Sequence, residues 1–96
     1  MILHGHGIVI GANVEIGTRC KIFNGVTLGN KDTTKPSQGN QPTVGNNVTI
    51  STGAKVLGPI KIGDHVTIGA NSVVLRNAPS NTTIVGIPGR IIKPNK

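Results

Sequence analysis

Two of the three histidines stand two residues apart, in His4-Gly5-His6-Gly7. Imidazole exchanges a proton near neutral pH, so either ring suits general acid–base work or metal ligation. The glycines beside them carry no bulk, so the backbone there can sit close to a ligand. Catalysis by a metal hydratase would need three convergent imidazoles. The third histidine, His65, lies far along the chain and is expected in solvent. The single cysteine, Cys20, rules out an internal disulfide. It is expected to pack in the core rather than act as a nucleophile.

These groups need a scaffold, and the chain carries one as a repeat. Every sixth residue from Val44 is Val or Ile: Val44, Ile50, Val56, Ile62, Ile68, Val74. The same spacing upstream gives Ile10, Ile16, Ile22 and Leu28. Four residues past each aliphatic comes a mostly small residue, among them Cys20, Val26, Val48, Ala54, Val66 and Ser72. That position is two before the next aliphatic, so in an extended strand both side chains face the same way. Between strands the chain must turn. It does so at pairs such as Ala12-Asn13, Thr18-Arg19, Asn46-Asn47, Asp64-His65, Ala70-Asn71 and Arg76-Asn77. Asn, Asp and Gly tolerate the positive φ of a sharp corner. Three hexads then close one triangular coil, and coils stack about 4.8 Å apart as parallel strands. The expected fold is all-β, a parallel β-helix of hexapeptide repeats in a single domain over residues 1–96. No helix is required to account for residues 8–79.

Ile2 precedes Ile10 by eight residues, so the turn bearing His4 and His6 is irregular and is the first place to expect chemistry. Residues 30–43 break the ruler with a polar, Gly- and Pro-containing run, read as a loop extruded from the prism. Leu28 and Val44 are not a whole number of hexads apart, which leaves open the face on which the coil resumes. Residues 44–79 are expected in strict register. Residues 80–96 are expected to leave it as a C-terminal tail, with a tight bend at Gly86-Ile87-Pro88-Gly89 and a basic end.

A formal net charge of +7 favours an anionic partner, a polyphosphate cofactor among them. Nucleic acid is not expected, since one aromatic residue gives no platform for base stacking. No run reaches transmembrane length and no apolar leader opens the chain, so neither a membrane nor export is expected and a cytoplasmic location follows. A thin Ile/Val prism with open strand edges predicts oligomerisation, for which a cyclic homotrimer suits the flat sides.

Hexads of the form aliphatic-Gly-x-x-small-x, one extruded loop and a closing Val-Gly-Ile-Pro-Gly-Arg resemble the left-handed β-helix acyltransferases. His4-Gly-His-Gly-Ile-Val-Ile-Gly resembles the His-x-x-Gly-Ile-Val-x-Gly segment of serine acetyltransferases. Ile22–Lys31 resembles the next coil of those enzymes and, more closely, that of relatives that O-acetylate sugars in capsule and colanic-acid pathways. The resemblance implies acetyl-CoA as co-substrate, bound between subunits of a trimer, and no metal. It implies His4 as general base for a small hydroxyl acceptor. It places His6, Asn24, Asn40 and Gln41 near the acceptor. It puts Gly29 beside the pantetheine, Thr52, Gly53 and Ala70 along the groove, and Arg90 and Lys93 near the CoA phosphates. Leu3 stands where serine acetyltransferases have an acidic residue, and Asn40-Gln41-Pro42 where they have Arg-His-Pro. Both departures weigh toward a sugar hydroxyl over serine.

Three other readings compete. One is a catalytically silent, truncated β-helix trimer. Another is a metal-dependent hydratase of the carbonic anhydrase type. The third is a binder that uses a ladder of outward Thr27, Thr49 and Thr67, although stacked Thr also simply favours strands.

Overall fold

The computed structural model describes residues 7–30 and 39–94. Twelve short strands occur among them. In chain order they are β1 (Val9–Ile10), β2 (Glu15–Ile16), β3 (Lys21–Ile22), β4 (Thr27–Gly29), β5 (Thr43–Val44) and β6 (Thr49–Ile50). They continue with β7 (Lys55–Leu57), β8 (Lys61–Ile62), β9 (Thr67–Ile68), β10 (Val73–Val74), β11 (Thr82–Val85) and β12 (Arg90–Pro94). No helix occurs among the described residues.

The strands stack into three sheets, one per side of the prism. The orders are β1-β4-β7-β10, β2-β5-β8 and β12-β11-β9-β6-β3. Every pairing is parallel except β11 with β12. Val9 pairs Thr27, Thr49 pairs Thr67 and Lys55 pairs Val73, each eighteen residues apart, so one coil is three hexads. The sequence-based corner pairs turn as expected at their second residue. Asn13, Arg19, Asn47, His65 and Asn71 all have positive φ, as do Gly25 and Gly53.

The aliphatic ruler is the core. Ile22, Leu28, Val44, Ile50, Val56, Ile62, Ile68 and Val74 are all buried, and so are the slot residues Cys20, Val26, Val48, Ala54, Val66 and Ser72. Ile10 and Ile16 are less covered, because no described strand stacks beneath the first coil.

The loop question resolves cleanly. Val44 pairs with Ile16 and Ile62, so the chain resumes on the very next side of the prism after β4. Ten extra residues are taken up between β4 and β5, since Thr27 pairs Lys55 at a spacing of twenty-eight instead of eighteen.

Strict register ends at Val74, earlier than residue 79. Ala78 bridges Ile62, and Ile84 pairs Ile68, each sixteen residues on instead of eighteen. The last coil is therefore two residues short on the side of β8. Asn77 is not a positive-φ corner, whereas the following corner, Asn81 at φ 64°, stacks on the Asp64-His65 turn through its N–H to the Asp64 carbonyl. The segment after residue 80 then continues the coil. β11 stacks on β9, and the chain bends at Gly86 (φ 100°) so that β12 runs back antiparallel. Gly89 closes the end of the prism, donating its N–H to the Val73 carbonyl at 2.6 Å. The Thr ladder also differs from expectation. Thr49 and Thr67 stack with Thr83, while Thr27 lies on another sheet between Val9 and Lys55.

One corner shows how tightly the coils fit. Asn46 Oδ1 accepts the N–H of Thr18, Asp64 Oδ1 accepts that of Asn46, and Ser80 Oγ accepts that of Asp64, all at 2.8–2.9 Å. Each such acceptor sits over a glycine of the coil before it. A Cβ on Gly63 would lie 2.6 Å from the Ser80 backbone nitrogen and 2.9 Å from its Cα. Backbone cannot swing aside as a side chain can, so Gly63→Ala is expected to cost about 1–3 kcal/mol by overpacking. A chemical melt at fixed protein concentration checks this; an unchanged midpoint would contradict the close stacking.

Candidate active site

The residues singled out from sequence fall in three places. The first is the edge where the five-stranded sheet turns into the four-stranded one. Asn24, Thr52, Gly53 and Ala70 all stand there, brought into line by the coil repeat. The Gly53 N–H donates to the Asn24 carbonyl at 3.0 Å, and the Asn71 N–H to the Thr52 carbonyl at 2.9 Å. The Thr52 hydroxyl donates to Asn24 Oδ1 at 3.4 Å. Gly7, Gly25 and Gly53, all at φ between 71° and 76°, stack directly on one another. A Cβ on Gly7 would meet the Gly25 Cα at 3.6 Å, and one on Gly25 the Gly53 nitrogen at 3.4 Å. The outcome is a strip of bare backbone running up the edge, the sort of surface an extended ligand can lie against. Gly7, at the foot of this strip, follows His4 by three residues. His4 and His6 themselves lie outside the described residues, as does the loop segment 31–38.

The second place is the next edge, where the loop leaves the prism. Gln41 returns from the loop and folds its side chain over Gly11 and Gly29. A Cβ at Gly11 would meet the Gln41 amide within about 3 Å, which glycine avoids. Gln41 Oε1 is buried with no hydrogen-bond partner. A buried acceptor left unmade costs free energy, so it is a position where an incoming donor is rewarded. Gly29 is buried and its carbonyl accepts the Gly58 N–H at 2.9 Å. Asn40 is half-buried beside it. Below Gln41 opens a cleft of about 500 Å³ whose lining includes Glu15, Thr43 and Lys61.

The third place is the C-terminal end. Arg90 opens β12 and is exposed, and the backbone of Lys93 pairs with Thr83. Arg76, which the sequence reading assigned only to a corner, lines the same two cavities as Arg90. The return of the chain after Gly86, with the Gly89 N–H on the Val73 carbonyl, sets Arg90 beside the turn that carries Arg76. A single chain does not bring the three places together, since the first two flank opposite margins of the β1-β4-β7-β10 sheet.

The remaining chemically competent residues stand apart from these places. Cys20 is buried, with its Sγ 3.1 Å from the Gly45 carbonyl. His65 is an exposed corner at φ 57°. Among the described residues no three His, Cys, Asp or Glu side chains are grouped to hold a metal. No helix among them is long and apolar enough to cross a membrane.

A three-sided parallel coil with hexad corners defines the class of hexapeptide-repeat β-helix proteins. The bacterial transferase hexapeptide (six repeats) family matches residues 41–76, and the hexapeptide repeat of succinyl-transferase matches residues 7–31. Serine acetyltransferase of Synechococcus elongatus is 56% identical over 89 residues, covering 93% of this chain and 36% of that protein. Serine acetyltransferase of Staphylococcus aureus is 54% identical over 90 residues, covering 94% and 41%. The crystal structure of Brucella abortus serine acetyltransferase in complex with coenzyme A superposes with a TM-score of 0.92 at 36% identity, over 99% of this chain and 37% of that one. The chain belongs to the left-handed β-helix acyltransferase superfamily and is serine acetyltransferase-like within it. It spans well under half the length of these relatives.

Proposed function

We propose that this chain is the acetyl-transferring β-helix of an acetyl-CoA-dependent O-acetyltransferase that acts on a small hydroxyl acceptor, with serine the first candidate. The observation that carries the reading is its near-complete superposition on a serine acetyltransferase that binds coenzyme A. The two relatives above bear the same name at 54–56% identity, whereas the sequence-based preference for a sugar hydroxyl gains no support from them.

His4 is the proposed base. It takes the proton of the acceptor hydroxyl as that oxygen attacks the thioester carbonyl. The tetrahedral intermediate collapses, the C–S bond breaks, and CoA leaves as thiolate to be reprotonated. Backbone N–H groups of the Gly-rich turn would meet the oxyanion. The glycine strip by Thr52, Gly53 and Ala70 is the proposed track for the pantetheine arm, with Gly29 across the sheet. Holding both reactants in one groove removes much of the entropic barrier.

The acceptor side is assigned to His6, Asn24, Asn40 and Gln41. The unpartnered Gln41 Oε1 suits a ligand N–H or O–H, and a serine ammonium supplies one. Because the two flanking edges lie on opposite margins of one sheet, a complete site needs an edge from each of two copies. The homotrimer is proposed on that ground.

Thiol release from acetyl-CoA tests the reading. Release is expected to depend on added serine and to remain at background with a panel of monosaccharides. Sugar-dependent release without serine-dependent release would overturn serine as acceptor. No release with either, together with no CoA binding by titration calorimetry, would favour the silent-trimer reading.

A further inference from the structure

The acceptor residues assigned above, His6, Asn24, Asn40 and Gln41, carry no fixed charge. An amino acid carries two. Its ammonium and its carboxylate lose hydration on binding, and each needs a countercharge and hydrogen bonds in return. The cleft of about 500 Å³ beside Gln41 is lined by one charge of each sign, Glu15 and Lys61. Thr43 stands between them, pairing Glu15 on one side and Lys61 on the other. Ile16, Val44 and Ile62 come next in the same three strands and pack inward, so Glu15, Thr43 and Lys61 point outward on one face. The two charges are two strand spacings apart along the prism, about 10 Å between Cα atoms. Both residues are exposed, and among the described residues neither side chain has an ion-pair partner. Of the other two acids, Asp64 accepts the Asn46 N–H at another corner and Asp32 lies outside the described residues. Val14 and Ile60 add an apolar wall. Gln41 lines the same cleft, and its Oε1 is buried without a donor.

We infer that Glu15 and Lys61 are specificity-determining residues that select a zwitterionic amino acid as the acceptor. Glu15 and Gln41 Oε1 accept from the ammonium, and Lys61 donates to the carboxylate. The lysine stem is flexible, so its head can swing over Thr43 to meet a ligand as short as one amino acid. Gln41 also lies against Gly29, the residue assigned beside the pantetheine, so a ligand held here stands next to the cofactor track. This assignment rests on the acetyl-transfer reading and adds to it the means by which the acceptor class is chosen. A monosaccharide offers hydroxyls but neither charge, and gains nothing from the pair.

The test is thiol release by the whole chain, by Glu15→Gln and by Lys61→Gln, with serine, serinamide and N-acetylserine as acceptors. Serinamide lacks the carboxylate and N-acetylserine the ammonium, while both keep the hydroxyl. Calorimetric titration gives the affinity of each acceptor independently of turnover. Both positions are exposed, so the variants should fold; circular dichroism verifies it. Each variant is expected to raise KM for serine at least about tenfold, the scale of one charge-assisted hydrogen bond, with KM for acetyl-CoA unchanged. Lys61→Gln should leave serinamide affinity at the wild-type value, and Glu15→Gln should do the same for N-acetylserine. Lys61→Arg should recover part of the serine loss. An unchanged KM for serine in either variant would overturn the pair and leave the acetyl-transfer reading standing. A loss in Lys61→Gln as large for serinamide as for serine would also overturn it, by marking a structural role. Transfer to sugars alone, or CoA binding without serine binding, would overturn the amino-acid class and leave the CoA reading intact. A wild-type chain that neither releases thiol with any acceptor nor binds CoA would overturn both.

Discussion

His4→Ala is expected to lower kcat for thiol release by about 10²–10⁴-fold, the usual contribution of a positioned general base. CoA affinity and the melting midpoint should stay where they are. The reasoning runs from chemistry to chain. A neutral acceptor hydroxyl is a weak nucleophile, and direct attack on a thioester needs its proton removed as the new C–O bond forms. Cys20, the one thiol, is buried in the core and unsuited to a covalent route. His65 stands exposed on a different corner of the coil, between β8 and β9, whereas the glycine strip follows the corner between β6 and β7. That leaves the His4-Gly5-His6 segment, which feeds directly into Gly7 at the foot of that strip. His6→Ala should cost less than His4→Ala, because His6 is assigned to the acceptor and its loss should appear chiefly in KM. Unchanged release by His4→Ala, or a larger loss in His6→Ala, would remove His4 as the base.

Ile50→Ala should destabilise the coil by about 2–5 kcal/mol. Ile50 is fully buried and sits in register between Ile22 and Ile68, themselves buried, with Val48 beside it in the same strand turn. A stack of short strands has little other core to redistribute, so the cavity left by the missing side chain cannot collapse readily. For a domain of this size the loss corresponds to a melting midpoint lower by upwards of about 10 °C. Lys55→Ala, on an exposed outward position of the next hexad, should stay within about 0.5 kcal/mol. The comparison requires one protein concentration throughout, since any oligomer makes the midpoint depend on it. Similar small losses for both variants would mean that the six-residue ruler is not the core.

What could be read from sequence was whatever depends on local stereochemistry. Ile50 recurs every sixth residue because an inward strand position must be apolar. Asn47 and Asn71 follow small or polar neighbours because a corner needs positive φ at little cost. What could not be read depends on how many residues a corner absorbs. A ten-residue extrusion and a two-residue deletion leave the flanking hexads individually intact, so neither the return of Val44 to the side of Ile16 nor the pairing of Ala78 with Ile62 is written in any one hexad. Arg76 reads as an ordinary corner until β12 folds back and sets Arg90 beside it. Gln41 was found by resemblance, but its unpartnered oxygen over Gly11 and Gly29 is a property of packing alone. The continuation of the coil through β11 escaped notice because Ile84 falls off the ruler while still stacking on Ile68.

A crystal structure with CoA bound addresses the central claim most directly. The account predicts the pantetheine arm along the Gly25–Gly53 edge, the sulfur within reach of the His4 imidazole, and a second copy of the chain completing the groove. CoA on a different surface, or that imidazole turned to bulk water away from the thiol, would contradict it.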